Sequence, residues 1–470
     1  MKHFIIFALV GQCLSAVAVG QETASLTLDS CISLAIKNNK TLQSAQLQAE
    51  RYAHEEKAYR ANFFPNFKLV ANDVWSDAKG SIGGDIFGGL TDGVSQFLTG
   101  LAQLGHFTDA NQLAAVQQFG QGMGAYSDGI DYKFGNFISA GITLEQPLYM
   151  GGKVTTAYKM SQLGRQMAQQ GAQLSRSEVI VNVQEAYALV VRTTEMQKVA
   201  ARYDSLLVSL LADVQNAERR GLRSRNDVLK VQVKLSEAEL QMRQAENGHR
   251  LATMNLCHYI GLPLTTALSL DMEAFDTAPD ASATPLVDVT ARPEYNVLEL
   301  KSELAAQQVK LERAEHLPQV VLGAAYVYNN GLEVADKKLF NKPSAAVMLN
   351  VTVPLYHAGK GSNKIRSARL EAERAQLAQA DLVEQMNLEI AQAANNLDEA
   401  RLEVSLAEKN FAQNEENLRA SRSSYNLGTE SLSDLLEAQT LWQQSYAKLA
   451  NARAALFVAA TKYRKAAGQL

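Results

Sequence analysis

Helix breakers and cysteine are both scarce in this chain of 470 residues. Its nine prolines fall at 65, 147, 263, 279, 285, 293, 318, 343 and 354. None lies between 148 and 262, and none follows 354. Glycine is missing from 362–427 and again from 429–467. Proline removes a helical hydrogen bond, and glycine costs about 1 kcal/mol in a helix interior. Their absence leaves long stretches that nothing interrupts. Cysteine occurs only three times, so a disulfide framework of the small-domain kind is excluded. Cys31 and Cys257 lie far apart with no metal-ligand spacing and read as two isolated helix cysteines. No run of about twenty apolar residues follows the first twenty positions, so no transmembrane helix is expected. The histidines are scattered without an HExxH pattern, and His249 and His258 do not share a ligand spacing on one helix face. The glycine clusters lack the strand-to-helix setting or Lys-Ser/Thr ending of nucleotide loops. No catalytic constellation, cofactor or metal site is expected, and the chain reads as a non-enzyme.

What is present begins with residues 1–20, MKHFIIFALVGQCLSAVAVG. A positive start, a short apolar core and small residues before Gln21 describe a secretory signal peptide. Gln12 stands before Cys13 where lipoprotein processing wants a small residue, so lipidation is disfavoured. Loss of Lys2 takes the formal charge from −4 to −5, and a mildly acidic chain argues against nucleic acid as a partner.

The body of the chain is duplicated. LEQPLYMGGK at 144–153 returns as VTVPLYHAGK at 351–360. A shift of 207 takes Pro147, Tyr149 and Gly152 to Pro354, Tyr356 and Gly359, and Gly221 and Asp227 to Gly428 and Asp434. Internal repeats come before any domain count. Each copy follows its PLY motif with a stretch rich in Ala, Glu, Gln, Leu and Arg, which favour helix. A helix from Lys153 to Arg220 would run roughly 100 Å at 1.5 Å per residue. Tyr203, Leu207, Leu210, Val214 and Ala217 step by four and three, as do Ala400, Val404, Ala407, Phe411, Asn414, Leu418, Ser421 and Tyr425. Such a 3.5-residue seam lets helices wrap as knobs into holes. Each long helix stops at a glycine, Gly221 or Gly428, and a shorter one follows, which makes a helical hairpin with a glycine tip.

Strands precede the long helices. Ile138, Ala140, Ile142 and Leu144 share one face, as do Val347, Leu349, Val351 and Val353. An earlier pair aligns at a shift of 253, where Pro65, Phe67, Leu69, Ala71 and Trp75 meet Pro318, Val320, Leu322, Ala324 and Tyr328. Strands of about ten residues with one apolar and one polar face fit an outer-membrane barrel; a soluble antiparallel sheet with one wet face fits the alternation equally. On the barrel reading Trp75 and Tyr328 approach the outer aromatic girdle. Four strands cannot close a conducting barrel, and an open edge cannot face lipid, so the chain must oligomerise. Three copies would supply twelve strands. The difference between the two shifts places 46 extra residues in the first strand-to-strand loop, either as a lid or constriction or as decoration.

The expected boundaries follow. A signal peptide occupies 1–20. The first repeat, 21–261, holds a helix at 27–62, strands at 63–77 and 136–149, an extracellular insertion at 78–135, and helices at 153–220 and 225–260. A connector fills 262–292. The second repeat, 293–470, holds a helix at 293–316, strands at 317–329 and 344–356, and helices at 360–427 and 431–467.

Taken together, these residues resemble the TolC-like outer-membrane efflux proteins. PLYMGGK and PLYHAGK resemble that family's strand-to-helix junctions. RRGLRSRNDVL and YNLGTESLSDLL resemble its tips, and Leu34-Ala35 with Asn38-Asn39, and Arg292-Pro293-Glu294, resemble its repeat starts. The resemblance implies an α+β membrane protein, a trimeric twelve-stranded β-barrel continued by a long α-helical coiled-coil periplasmic tunnel, with two internal repeats per chain. It implies an exit duct in the Gram-negative outer membrane for tripartite efflux or type I secretion. The implied partners are two further copies, outer-membrane lipid, a periplasmic adaptor, and an inner-membrane pump or ABC exporter. Carried over by position, Gly221, Leu222, Ser224, Gly428, Thr429 and Ser431 would dock the adaptor. Asp434 and Glu437 would form acidic rings, and Asp227 and Tyr425 would belong to the closing network. The network's arginine is replaced by Glu430, a departure from the pattern. Arginines 219, 220, 223 and 225 of the first tip, among which Arg220 and Arg225 are chosen as gate residues, are expected to pair with Glu430 or Asp434. Pro147, Tyr149, Gly152, Pro354, Tyr356 and Gly359 would mark the junctions. The exported substrate is not encoded here. The competing class is a secreted structural coiled-coil protein such as an adhesin stalk.

Overall fold

The computed structural model describes residues 25–77, 79–82, 130–271, 289–334, 337–339, 342–356 and 358–470. The expected signal peptide, most of the insertion and most of the connector lie outside these residues. In chain order the elements are β1 (Ser25–Leu26), α1 (Leu28–Asn38), α2 (Lys40–Ala61), β2 (Asn66–Trp75), β3 (Lys79–Ile82), β4 (Ile130–Met150), α3 (Lys153–Arg219), α4 (Arg225–Ile260), β5 (Ser269–Leu270), a 3₁₀ turn (Val289–Ala291), α5 (Pro293–Ala314), β6 (Gln319–Val334), β7 (Lys337–Leu339), β8 (Pro343–Thr352), α6 (Lys360–Asn426) and α7 (Leu432–Ala466). The chain divides into a helical unit (up to Tyr52, Arg165–Ser302 and Ala375–Leu470) and a strand-bearing unit (Ala53–Gly164 and Glu303–Arg374).

Three expectations are corrected. The helix at 27–62 is two helices, because Asn39 leaves helical geometry with ψ 123°. Its Oδ1 accepts from the backbone N–H of Thr41 at 2.9 Å and of Leu42 at 3.2 Å, which caps the start of α2. The last strand stops at Thr352, so Pro354 and Tyr356 lie beyond it, whereas β4 runs through Pro147 and Tyr149 to Met150. Two short strands, β3 and β7, extend the hairpins past the expected ends.

In the helical unit, the 3.5-residue seam of α3 is buried. Tyr203, Leu207, Leu210 and Val214 pack with Val228 and Val231 of α4 and with Leu432, Leu435 and Trp442 of α7. A second core joins Cys31, Ala35 and Leu42 to Val183 and Tyr187 of α3 and to Leu256 and Ile260 of α4. The two-residue parallel pair β1–β5 closes beside α1.

In the strand-bearing unit, β2, β4, β6 and β8 form an antiparallel sheet in that order. Register builds a row across it: Phe67 faces Leu144, Leu144 faces Ala324, and Ala324 faces Val347. The next row of that face holds Leu69, Ile142 and Tyr326. This face is bare: Phe67 is 68%, Leu69 80% and Val347 77% exposed. The opposite face carries Lys68, Asn72, Ser139 and Thr143, with Lys68 and Glu145 paired at 3.6 Å. Strand periodicity dictates this division, and among the described residues nothing in the unit buries the apolar side. At the turn into α3, Gly151 has φ 61°, and a Cβ there would sit 2.6 Å from the carbonyl oxygen of Ala314. Among the described residues no helix is long and apolar enough to cross a membrane.

Candidate functional site: the helical tips

Both hairpins of the helical unit turn by the same local chemistry. α3 ends at Arg219, Gly221 takes φ 74°, and the N–H of Leu222 reaches back to the carbonyl of Ala217 at 2.9 Å. α6 ends at Asn426, Gly428 takes φ 78°, and the N–H of Thr429 reaches the carbonyl of Ser424 at 3.0 Å. Left-handed geometry at such a cap suits glycine. Open space surrounds both glycines, so conformation rather than crowding requires them.

Each following helix opens with a capping box. The N–H of Asp227 donates to Ser224 Oγ at 3.2 Å, and the N–H of Ser224 donates to Asp227 Oδ2 at 3.3 Å. Ser431 and Asp434 repeat both bonds at the same distances, and Ser431 Oγ also donates to Asp434 Oδ2 at 2.7 Å. The box satisfies N–H groups that a helix start leaves unpaired. It also gives Asp227, Asp434, Ser224 and Ser431 a local task that the ring and docking readings did not include.

Leu222 is 72% exposed and Leu427 78% exposed, so each tip presents one bare leucine. The shift of 207 does not bring out Leu427, because it precedes its glycine where Leu222 follows one. Thr429 Oγ1 is turned back onto the carbonyl of Ser424 at 3.0 Å. Glu437 and Asp434 are exposed, one turn apart on α7.

Within the chain, Glu430 and two of the tip arginines have partners of their own. Glu430 Oε1 accepts from Ser421 Oγ at 2.6 Å, Arg225 pairs with Glu218 at 3.7 Å, and Arg219 donates to Asn216 Oδ1 at 2.6 Å. Each of these stays inside one hairpin. Arg223 does reach across: its guanidinium lies 4.7 Å from the centre of the Tyr425 ring. Burial chiefly raises the Tyr425 phenol above its ordinary value, with Asp227 and Asp213 adding to the rise and Arg223 opposing it. Tyr425 is therefore a neutral ring, and a cation over its face is attracted by the ring quadrupole. The backbone N–H of Arg220 donates to the carbonyl of Ala217 at 3.2 Å. Among the described residues, no group of three or more His, Cys, Asp or Glu could hold a metal ion.

At the junctions, Pro147 lies opposite Val321 and Tyr149 opposite Val320, with a register shift between them. Tyr149, Leu355 and Tyr356 are exposed there. Gly152 and Gly359 have φ of 85° and 78°.

The profile of the outer membrane efflux protein family matches residues 31–262 and 290–469. Protein CyaE of Bordetella pertussis is 27% identical over 348 residues, covering 67% of this chain and 70% of CyaE. The proteases secretion protein PrtF of Dickeya chrysanthemi is 23% identical over 345 residues, 72% of this chain and 74% of PrtF. Among solved structures, the Campylobacter jejuni CmeC outer membrane channel superposes with TM-score 0.74 at 18% identity, covering 99% of this chain and 94% of CmeC. The open state of the Neisseria gonorrhoeae MtrE channel gives 0.68 at 16%, covering 94% of this chain and 88% of MtrE. These structural likenesses establish the fold, and the family match sets aside the adhesin-stalk reading. The chain belongs to the outer membrane efflux protein family.

Proposed function

We propose that this member of the outer membrane efflux family is a passive exit duct from periplasm to exterior, serving tripartite efflux or type I secretion. Three copies bring their four-stranded sheets together as a twelve-stranded barrel, and their hairpins continue it as a periplasmic tunnel. One observation carries this: the cross-strand apolar face of Phe67, Leu144, Ala324 and Val347 is uncovered on a sheet whose edge strands β2 and β8 have no further partner among the described residues. Bare apolar strands suit lipid, and unpaired edges in lipid must be closed by other chains. A relative named for secreting proteases supports the secretion branch.

The tips supply docking and gating. Leu222, Leu427 and the glycine turns form the surface offered to a periplasmic adaptor, which links the duct to an inner-membrane pump or ABC exporter. Arg223 on Tyr425 latches one hairpin to the other in the closed state. Asp434 and Glu437, repeated by threefold symmetry, draw cations to the inner mouth. The conduit needs no bond-making step and no cofactor.

The experiment is membrane fractionation followed by detergent gels and planar-bilayer recording. A trimer that resists SDS until heated, comes from the outer membrane and conducts ions is expected. Monomeric or rod-like soluble protein, with no conductance, would sink the reading.

A further inference from the structure

The two cysteines that look isolated in the sequence lie on α1 and α4, two helices that share a core, and both are free thiols. Cys31, on the buried face of α1, and Cys257, on α4, are both 0% exposed. Cys31 packs in one core with Leu256 and Ile260, which flank Cys257 along α4. The two helices are held together beyond that core. Asn39 Nδ2 donates to the carbonyl of Tyr259 at 3.1 Å, and a Cβ on Gly261 would lie 2.5 Å from the Cβ of Asn38. The other end of α1 is fixed by the β1–β5 pair, where the N–H of Asp271 donates to the carbonyl of Leu26 at 3.2 Å. The helix that carries Cys31 is therefore tied at both ends, one of them to the end of the helix that carries Cys257.

We propose that Cys31 and Cys257 are oxidised to a structural disulfide that staples α1 to α4 as the helical unit folds. The proposal rests on the outer-membrane reading, because that places the unit in an oxidising compartment where disulfides persist. Either thiolate attacks a periplasmic protein disulfide of the thiol-oxidase class, forming a mixed disulfide and releasing one thiolate of the oxidase. The second cysteine then attacks the mixed disulfide. One Cys31–Cys257 bond forms, two protons leave, and the oxidase keeps both electrons as its dithiol.

The order of events follows from burial. The Cys31 thiol is pushed up to about 11, first by burial and then by the neighbouring Cys257. Burial also raises the Cys257 thiol, whose sulfur lies 3.7 Å from the carbonyl oxygen of Thr266. A thiol held so high is almost never the nucleophilic thiolate at neutral pH. The exchange therefore precedes the docking of α1, and the finished bond is out of reach of reductants. It acts as a staple, not a switch, closing a loop that spans most of the first repeat and narrowing the unfolded ensemble.

The test is a non-reducing peptide map of the full-length protein, taken from the membrane fraction, quenched with N-ethylmaleimide and then denatured. A cross-linked peptide carrying Cys31 and Cys257, lost on reduction, is expected. In a Cys257→Ala chain, Cys31 is expected to take maleimide without reductant. Recovery of both peptides alkylated in the parent chain overturns the proposal. Protein that fractionates with the cytoplasm overturns the outer-membrane reading instead. The chain is then refolded with oxidised glutathione: the cross-linked peptide supports the pairing, and two separately modified thiols overturn it.

Discussion

The two helical tips share a backbone and carry opposite charges at the same place. A shift of 207 takes Arg223 to Glu430. Around them the glycine turns and the capping boxes agree, with Ser224–Asp227 and Ser431–Asp434 bonded at matching distances. Yet Arg223 reaches out to the Tyr425 ring of the other hairpin, while Glu430 folds back onto Ser421 of its own. What the turn itself requires is kept in both copies. What a side chain does beyond its own hairpin differs, so the shared turn supplies shape and the differing residues add a tip contact to the core that joins the hairpins.

The repeat starts show the same division with larger energies. A shift of 253 takes Asn39 to Arg292, and one of 207 takes Tyr259 to Ala466. Asn39 donates to the carbonyl of Tyr259 at 3.1 Å, and Arg292 to that of Ala466 at 3.4 Å. The task is common, but the guanidinium brings a charge inside. Its side chain is 4% exposed and is paired with Glu389 at 2.8 Å and Glu294 at 3.3 Å. Burial opposes the Arg292 cation and the two carboxylates more than offset it, leaving its pKa raised. Arg292→Ala removes one partner of a buried pair, and is expected to cost about 3 kcal/mol because half-exposed Glu389 regains water. Asn39→Ala removes a cap and one bond, for about 1–2 kcal/mol. Urea midpoints followed by circular dichroism check both. Equal losses would erase the distinction between the repeats.

Next in size are the caps. Ser224→Ala and Ser431→Ala are each expected to cost about 1 kcal/mol. The informative quantity is their difference, which the matched geometry sets near zero. Hydrogen exchange at the first turns of α4 and α7 reads each cap separately. Protection lost in one tip only would break the claim that the turn chemistry is shared.

Smaller again is the latch. A cation over a partly buried ring at a solvent-facing tip is worth about 0.5–1 kcal/mol, or roughly a two- to fivefold change in an opening equilibrium. Arg223→Ala is expected to raise open probability in bilayers by that factor. Glu430→Gln, which keeps a group able to accept from Ser421, is expected to leave it unchanged. If Glu430→Gln opened the channel and Arg223→Ala did not, the assignment of the latch would be reversed.

Much of this was legible because likeness at a fixed shift needs no contacts to read. The PLY motifs, the glycine tips and the two shifts located the helices and the four long strands. The break at Asn39 was less visible, since no proline or glycine marks it and only the side-chain cap ends α1. The partners of Arg223, Arg225 and Glu430 were not legible, because several arginines stand within one turn and charge alone does not rank them. That α1 and α4, which carry Cys31 and Cys257, share a core was hidden for a plainer reason: sequence separation says nothing about two helices that pack side by side.

The smallest expected effect concerns a position where only one repeat titrates. His249 corresponds to Leu456 under the shift of 207. Its Nδ1 lies 3.4 Å from the hydroxyls of both Thr193 and Thr194, and burial lowers its pKa from 6.5. The folded imidazole therefore resists a proton that the unfolded chain accepts. Stability from this site is complete above pH 6.5 and is lost as pH falls through the interval between the unfolded and folded values. His249→Leu gives the first repeat the side chain of the second and removes that interval. The drop in urea midpoint between neutral and mildly acidic pH is expected to shrink in the variant, while the midpoint at neutral pH moves little. An unchanged acid slope would mean that other groups carry it, and that the two repeats do not differ in their response to protons at this position.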